Sequence, residues 1–358
     1  MRYELWGVAG VIICIIITII EYIIHFKMAQ TQDNEKNTNE YLKRQLTVLL
    51  ESTVYAPTEN ALNDQINAIA EKINGNAEIY ELALRCLNDA KEKHKEDDKG
   101  QLEHLKLLLD EKVKPVEIYA IMLKEGDIYH KGYACRRLAD MGAEEYKEVF
   151  ADLTKSADRD LAYNAAMALC TLGDAENVCN YIKQIQADKA YSGRIINEFF
   201  YDFNGDRAEL ARLLLHDCNH YMKCTVIKAI APFKLYEFKQ LYENGFAESD
   251  KQLQISCIKA LAPFGDPLDE QTFCIAAQNN DWVIRSAALQ GLAAINSPTA
   301  LKVVKNGLYD KEWWVRQNAA KALISMNIKP QDIEEILSGY DRFAADALKS
   351  VLYKEIEL

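Results

Sequence analysis

The chain has 358 residues, 49% of them apolar and 27% charged, which excludes a disordered polymer and exceeds what one compact core usually organises. Only 15 Gly and 7 Pro serve turns, too few for an all-β sandwich or a glycine-rich nucleotide-binding fold. A formal net charge of −12 sets the body against phosphate backbones, so no nucleic-acid partner is expected.

Residues 5–24 (LWGVAGVIICIIITIIEYII) form an apolar run with one charge, Glu21. At about 1.5 Å per helical residue such a run spans roughly 30 Å, the depth of a bilayer's hydrocarbon core. Trp6 and Tyr22 sit near its ends, where amphipathic rings favour the interface. A cleaved signal peptide would have a shorter apolar core and a small-x-small site, which Glu21, Tyr22, His25 and Phe26 do not offer. Residues 1–27 are therefore expected to be an uncleaved transmembrane anchor. Lys27, Lys36, Lys43 and Arg44 outnumber Arg2 across the span, which points to a cytoplasmic body at the cell membrane. Residues 28–39 (MAQTQDNEKNTN) lack an apolar face and read as a tether.

Residues 40–126 carry helical periodicity in stretches such as ALNDQINAIAEKI and QLEHLKLLLDEKV, without a common frame. They read as an irregular helical region. The charged run KEKHKEDDK at 91–99 is expected to be a solvated helix end or loop.

From Asp127 onward the sequence resembles itself at 30–31 residues. The stretch from Asp281 to Leu292 aligns with that from Glu312 to Leu323; earlier copies open at Asp127, Asp158, Asp188, Asn219 and Asp250, and a truncated one at Asp341. Gly142 and Gly173 keep the same spacing, as do the two Ala-Pro-Phe tripeptides at 231–233 and 262–264. Pro267, Pro298 and Pro330 recur ahead of each unit's second apolar run. An Asp or Asn suits a helix N-cap, and proline suits the first helical turn, where no amide donor is needed. Each unit is thus a helical hairpin too small to bury its own apolar face, so hairpins must stack.

This pattern resembles the short, roughly 30-residue HEAT-like repeats, through the core D-x-x-[VI]-R-x-x-A-A-x-x-L kept best at Asp281 and Glu312. The resemblance implies an all-α, right-handed α-solenoid over 127–358, and the apolar run at 5–24 places a single transmembrane helix before it. It also implies that Arg285 and Arg316 pair with acidic neighbours along the stack, with Asp281 and Glu312 as the expected partners. Other units carry Lys131, Ala162, Ser192, Lys223 and Gln254 at the arginine position. HEAT-like hydroxylases hold iron on His-Glu dipeptides, and none of the six histidines here precedes a glutamate. A P-loop, GxGxxG, GxSxG or HExxH motif is likewise absent. The resemblance therefore favours a membrane-anchored scaffold or adaptor that holds a protein partner, as bacterial repeat scaffolds do for membrane enzymes such as glycosyltransferases. The alternatives are a lyase-type HEAT-like enzyme or a regulatory sensor subunit. No catalytic residue and no cofactor are expected.

Three sets of side chains stand out. Trp282, Trp313 and Trp314 fall in the opening turns of adjacent units, either as an exposed interface ridge or as plugs between repeats. Tyr201 and Phe203, beside Phe199 and Phe200, are further interface candidates. His216, Cys218, His220 and Cys224 offer zinc-ligand chemistry within HDCNHYMKC, but they straddle a helix–loop–helix join, so no metal is expected there. The nine cysteines (Cys14, Cys86, Cys135, Cys170, Cys179, Cys218, Cys224, Cys257 and Cys274) follow no disulfide framework and read as reduced core thiols.

Overall fold

The computed structural model describes residues 40–49, 58–93, 96–186 and 189–356. The apolar run at 5–24, the tether at 28–39 and the unit opener Asp188 lie outside the described residues. Among the described residues no helix is long and apolar enough to cross a membrane, and every regular element is helical.

The chain divides into two compact units, 1–134 and 135–358. The first unit holds α1 (40–49), α2 (Glu59–Ile73), α3 (Ala77–Lys93), α4 (Glu96–Val113) and α5 (Pro115–Glu125). α2 packs on α3 and α4, and α3 packs on α4 and α5. Its core joins Ile66, Ile69 and Ile73 with Leu102, Leu105, Leu109 and the buried Tyr80 and Tyr119. Both phenols keep a polar partner despite burial: Tyr80 donates to Asp110 at 2.6 Å and Tyr119 to Glu81. The charged run at 91–99 ends α3 and opens α4.

The division falls inside α6 (Ile128–Asp140), the first helix of the repeat frame. The second unit then alternates long and short helices in that frame. α7 (Lys147–Leu153) follows α6, and the pairs α8/α9 (Arg159–Thr171, Ala175–Ile185) and α10/α11 (Lys189–Asp202, Arg207–Leu215) come next. After them stand α12/α13 (His220–Ile230, Lys239–Ala247), α14/α15 (Lys251–Leu261, Glu270–Ala276), α16/α17 (Trp282–Ile295, Pro298–Gly307) and α18/α19 (Trp313–Ser325, Pro330–Ser338). A single helix, α20 (Arg342–Ile356), ends the array.

First helices pack side by side from α8 through α10, α12, α14, α16 and α18 to α20. The second helices form the other layer, each against the long helix of its own or the next hairpin. Fully buried Leu169, Phe199, Ile230, Leu261, Leu292 and Leu323, about one repeat apart, line the first layer from α8 to α18.

Local chemistry explains the hairpin boundaries. The side chains of Asp158, Asn219, Asp250 and Asp281 each accept from a backbone N–H of their helix's first turn at 2.8 Å. Glu312 occupies the same cap position but makes no such bond; Asp310, two residues upstream, accepts from the Glu312 N–H instead. Pro298 and Pro330 are the first residues of α17 and α19.

The far ends of the first helices share a left-handed residue. Positive φ occurs at Gly142, Gly173, Lys234, Gly265, Asn296 and Asn327, successive members lying one repeat apart except across the α10 unit. Only three of these six are glycine, so the backbone turn outlasts the residue that best suits it.

Candidate functional site

The arginine position of the repeat is a tightly built polar feature of the second unit. Arg285 projects from α16 and is 7% exposed. Its Nε and Nη2 donate to the two carboxylate oxygens of Asp310 at 2.7 and 2.8 Å, and its Nη1 donates to the carbonyls of Asn279 and Asn280. Four N–H groups are thus satisfied in a fork that a lysine cannot reproduce. The bond to Asp310 raises the Arg285 pKa above its ordinary value. Burial pushes the Asp310 carboxyl up, but the hydrogen bonds from Arg285 and the Glu312 N–H outweigh it and hold it below the usual carboxylate range.

The acidic partner thus differs from the expected one. Arg285 reaches neither Asp281 nor Glu312: a side chain leaving the first turn of α16 runs toward the loop of the next hairpin, where Asp310 lies. Asp281 caps its own helix and pairs with Lys251, whose hydrogen bond holds the carboxyl below its ordinary value. Arg316 bonds the carbonyls of Asp310 and Lys311 and lies 5.3 Å over the Phe343 ring, again without Glu312. Its Nε is buried and has no hydrogen-bond partner.

One rule covers these contacts. Gln254, Arg285 and Arg316 each hold the carbonyl six residues upstream, at Glu248, Asn279 and Asp310. Lys223 and Arg285 each pair with an acid at one shared downstream offset, Glu248 and Asp310. The upstream and downstream offsets add up to one repeat, so both contacts are made at the same loop position of consecutive hairpins. Sequence reasoning aimed at the cap residue and missed it; the available signal was an acid at a fixed offset past the basic repeat positions, in the loop that opens the next unit.

The aromatic candidates separate sharply. Trp282, Trp313 and Trp314 are 39%, 51% and 56% exposed. Trp313 and Trp314 meet edge to face with centroids 4.5 Å apart. The bond from Asn318 to Ser286 and the bond from Ser350 to Gln317 fix the register of α16, α18 and α20. That register sets the opening turns with Trp282, Trp313–Trp314 and Phe343 in succession, Phe343 being 58% exposed. Tyr309 and Tyr340, in the turns just before these helices, are also exposed.

Tyr201 is 60% exposed and stands edge-on to Phe233. Phe203 is no interface residue: it is fully buried, because helical spacing puts it on the same inward face as Ile196 and Phe199. Gly205 backs onto its ring so closely that a Cβ there would lie 2.7 Å from it.

HDCNHYMKC does not converge as a foursome. His216 faces its neighbour Asp217 at 3.0 Å, and Cys218 sits in the turn before α12. His220 and Cys224 do meet, and the third group beside them is Asp250 from the next hairpin. The cysteines among the described residues are free thiols. Burial pushes Cys135, Cys170 and Cys257 up to about 12. In the first unit, Glu78, Glu81, Arg85, Met122, Tyr129 and His130 line an open groove of about 580 Å³.

Stacked hairpins, capped and cross-braced in one frame, define a helical-repeat protein. The model of the HEAT repeats family matches residues 270–352, from α15 through the α16/α17 and α18/α19 hairpins into α20, and over that stretch the chain is similar to HEAT repeats. No curated protein matches it. Among solved structures, the complex of CpcE and CpcF of phycocyanin lyase from Nostoc sp. PCC7120 is similar at 18% identity and a TM-score of 0.33, covering 66% of this chain and 94% of that one. Human deoxyhypusine hydroxylase is similar at 12% identity and a TM-score of 0.28, covering 80% and 98%. Importin beta is similar at 13% identity and a TM-score of 0.36, with 87% of this chain matched to 48% of importin. These likenesses are too loose to carry an argument about function.

Proposed function

We propose that this protein is a scaffold whose C-terminal hairpins dock a protein partner through the aromatic strip at Trp282, Trp313, Trp314 and Phe343. The observation that carries the reading is the exposure of these four large rings in the opening turns of α16, α18 and α20. Rings that merely plugged inter-repeat gaps would be buried, as Phe199 and Phe273 are. Tryptophan is favoured in the anchoring centre of interfaces, and an acidic chain suits a basic, amphipathic partner segment. The apolar run at 5–24 tethers this scaffold to the cell membrane with its body in the cytoplasm, a placement that fits the free thiols of the body.

The test introduces a photo-crosslinking residue at Phe343 in the full chain in its native host. One discrete adduct is expected, and the purified partner should lose at least ~2 kcal/mol of binding energy to Trp313→Ala/Trp314→Ala. No adduct, or unchanged partner binding together with a fall in Tm, overturns the interface. Carbonate extraction tests the tether: release of the full chain from membranes would refute it.

A further inference from the structure

We infer that His220, Cys224 and Asp250 form a divalent transition-metal site of the zinc class, bridging two consecutive hairpins. α12 supplies the first two ligands. Its cap is Asn219, so His220 is its first residue and Cys224 lies one turn on, on the same face. α14 packs against α12, and its cap residue Asp250 brings the carboxylate across the hairpin boundary. Sequence spacing alone pointed to the neighbours within HDCNHYMKC; packing replaces two of them by an acid from the following hairpin.

The distances suit one ion. His220 Nε2 lies 3.1 Å from Asp250 Oδ1 and 3.6 Å from Cys224 Sγ, and all three donor atoms fall within 4.8 Å of one another. Ligand bonds of about 2.0, 2.1 and 2.3 Å to N, O and S, set at the tetrahedral angle, give edges of roughly 3.4 Å for N···O and 3.6 Å for N···S. Two edges are thus in place within a few tenths of an ångström. The third, between Asp250 and Cys224, lies within 4.8 Å and closes by a small rotation of the Cys224 side chain. Asp250 Oδ1, the oxygen beside His220, also accepts the cap N–H of α14, and its second lone pair faces the ion.

The donor set selects the metal class. One imidazole, one thiolate and one carboxylate make a borderline-soft site, whereas magnesium and calcium require several oxygens. Three protein ligands leave a fourth position on the half-exposed side, open to water. Binding displaces the Cys224 proton to solvent as the sulfur–metal bond forms. Tyr201, Trp313 and the rest of the aromatic surface take no part, so this inference stands apart from the proposed partner docking.

Cobalt(II) added to the chelator-treated full chain is the test. One equivalent should give a near-ultraviolet sulfur-to-cobalt charge-transfer band with tetrahedral visible bands, both displaced by zinc. Cys224→Ser should abolish the charge-transfer band, and Cys218→Ser should leave it unchanged. His220→Gln and Asp250→Asn alter half-exposed groups, and Asn keeps the cap, so they decide the matter even where Cys224→Ser misfolds. Each should weaken affinity by more than the ~10–100-fold typical of outer-shell partners, and should cancel the rise in Tm that zinc gives the parent. No band at one equivalent, or a band that survives Cys224→Ser or shows full affinity after His220→Gln, overturns the site.

Discussion

Replacing Arg285 by Met removes a charge while keeping most of the side chain's length and apolar stem. The variant leaves Asp310 at 15% exposure without its fork and strands the carbonyls of Asn279 and Asn280. Breaking one side of a buried ion pair costs about 3–5 kcal/mol; the partial exposure of Asp310 places the expected loss near ~3 kcal/mol. Asp310→Asn keeps an acceptor for the Glu312 N–H, so its cost is smaller, and the double variant should recover at least ~1 kcal/mol of the summed losses. Urea unfolding followed by tryptophan fluorescence is the assay, because Trp282, Trp313 and Trp314 report on these same hairpins. The pH dependence has a definite sign. Asp310 has a folded pKa below its ordinary value of 3.8, so its pairing stabilises above about pH 4 and is lost as pH falls through the folded value. Without Arg285, burial pushes that carboxyl up, so the deficit of the variant is widest near pH 7 and narrows toward pH 4. A loss under ~1 kcal/mol, additive single variants, or a deficit independent of pH would refute the reasoning.

Lys234→Gly should stabilise the α12 hairpin by about 1 kcal/mol, since an exposed lysine holds φ at 49°, where a Cβ is costly; thermal unfolding reads the gain. Gly291→Ala should reverse the usual helix preference for alanine. Its Cβ would lie 2.4 Å from the buried Phe273 ring, and a loss of ~1–3 kcal/mol is expected in urea melts. Among the described cysteines, Cys218 and Cys274 should alkylate first in the folded protein. Cys135, Cys170 and Cys257, buried and held near 12, should react only on unfolding, as peptide mapping would show.

The hairpin array was legible because stacking makes each unit repeat the same demands. Capping Asp or Asn and buried Leu or Ile recur in most units, and N1 proline in the last two hairpins. The left-handed helix ends were half visible: Gly142 and Gly173 announced them, whereas Lys234, Asn296 and Asn327 adopt the same conformation under a different name. The partner of Arg285 was hidden because it belongs to the following loop, and the one-dimensional motif ends before that loop begins. Phe203 was misread because it follows the last residue of α10, yet its side chain still obeys the helix's spacing. Residues 40–126 yielded little beyond helicity, since α1–α5 pack without a shared frame.

The bracing of two hairpins by an acid lent from the next, Lys223 by Glu248 and Arg285 by Asp310, gives the array a direction. Cutting the chain just after α17 removes Asp310 and leaves the Arg285 fork as an unmatched buried cation. A cut that spares the loop at 310–311 keeps the preceding hairpin whole. Arg316 has Asp341 at the same downstream offset, yet Asp341 caps α20 instead. Arg316 bonds main-chain carbonyls and lies over an aromatic face, its buried Nε without a hydrogen-bond partner. Fragments of this protein should therefore be trimmed on the far side of a loop, slightly beyond where the helices themselves would suggest.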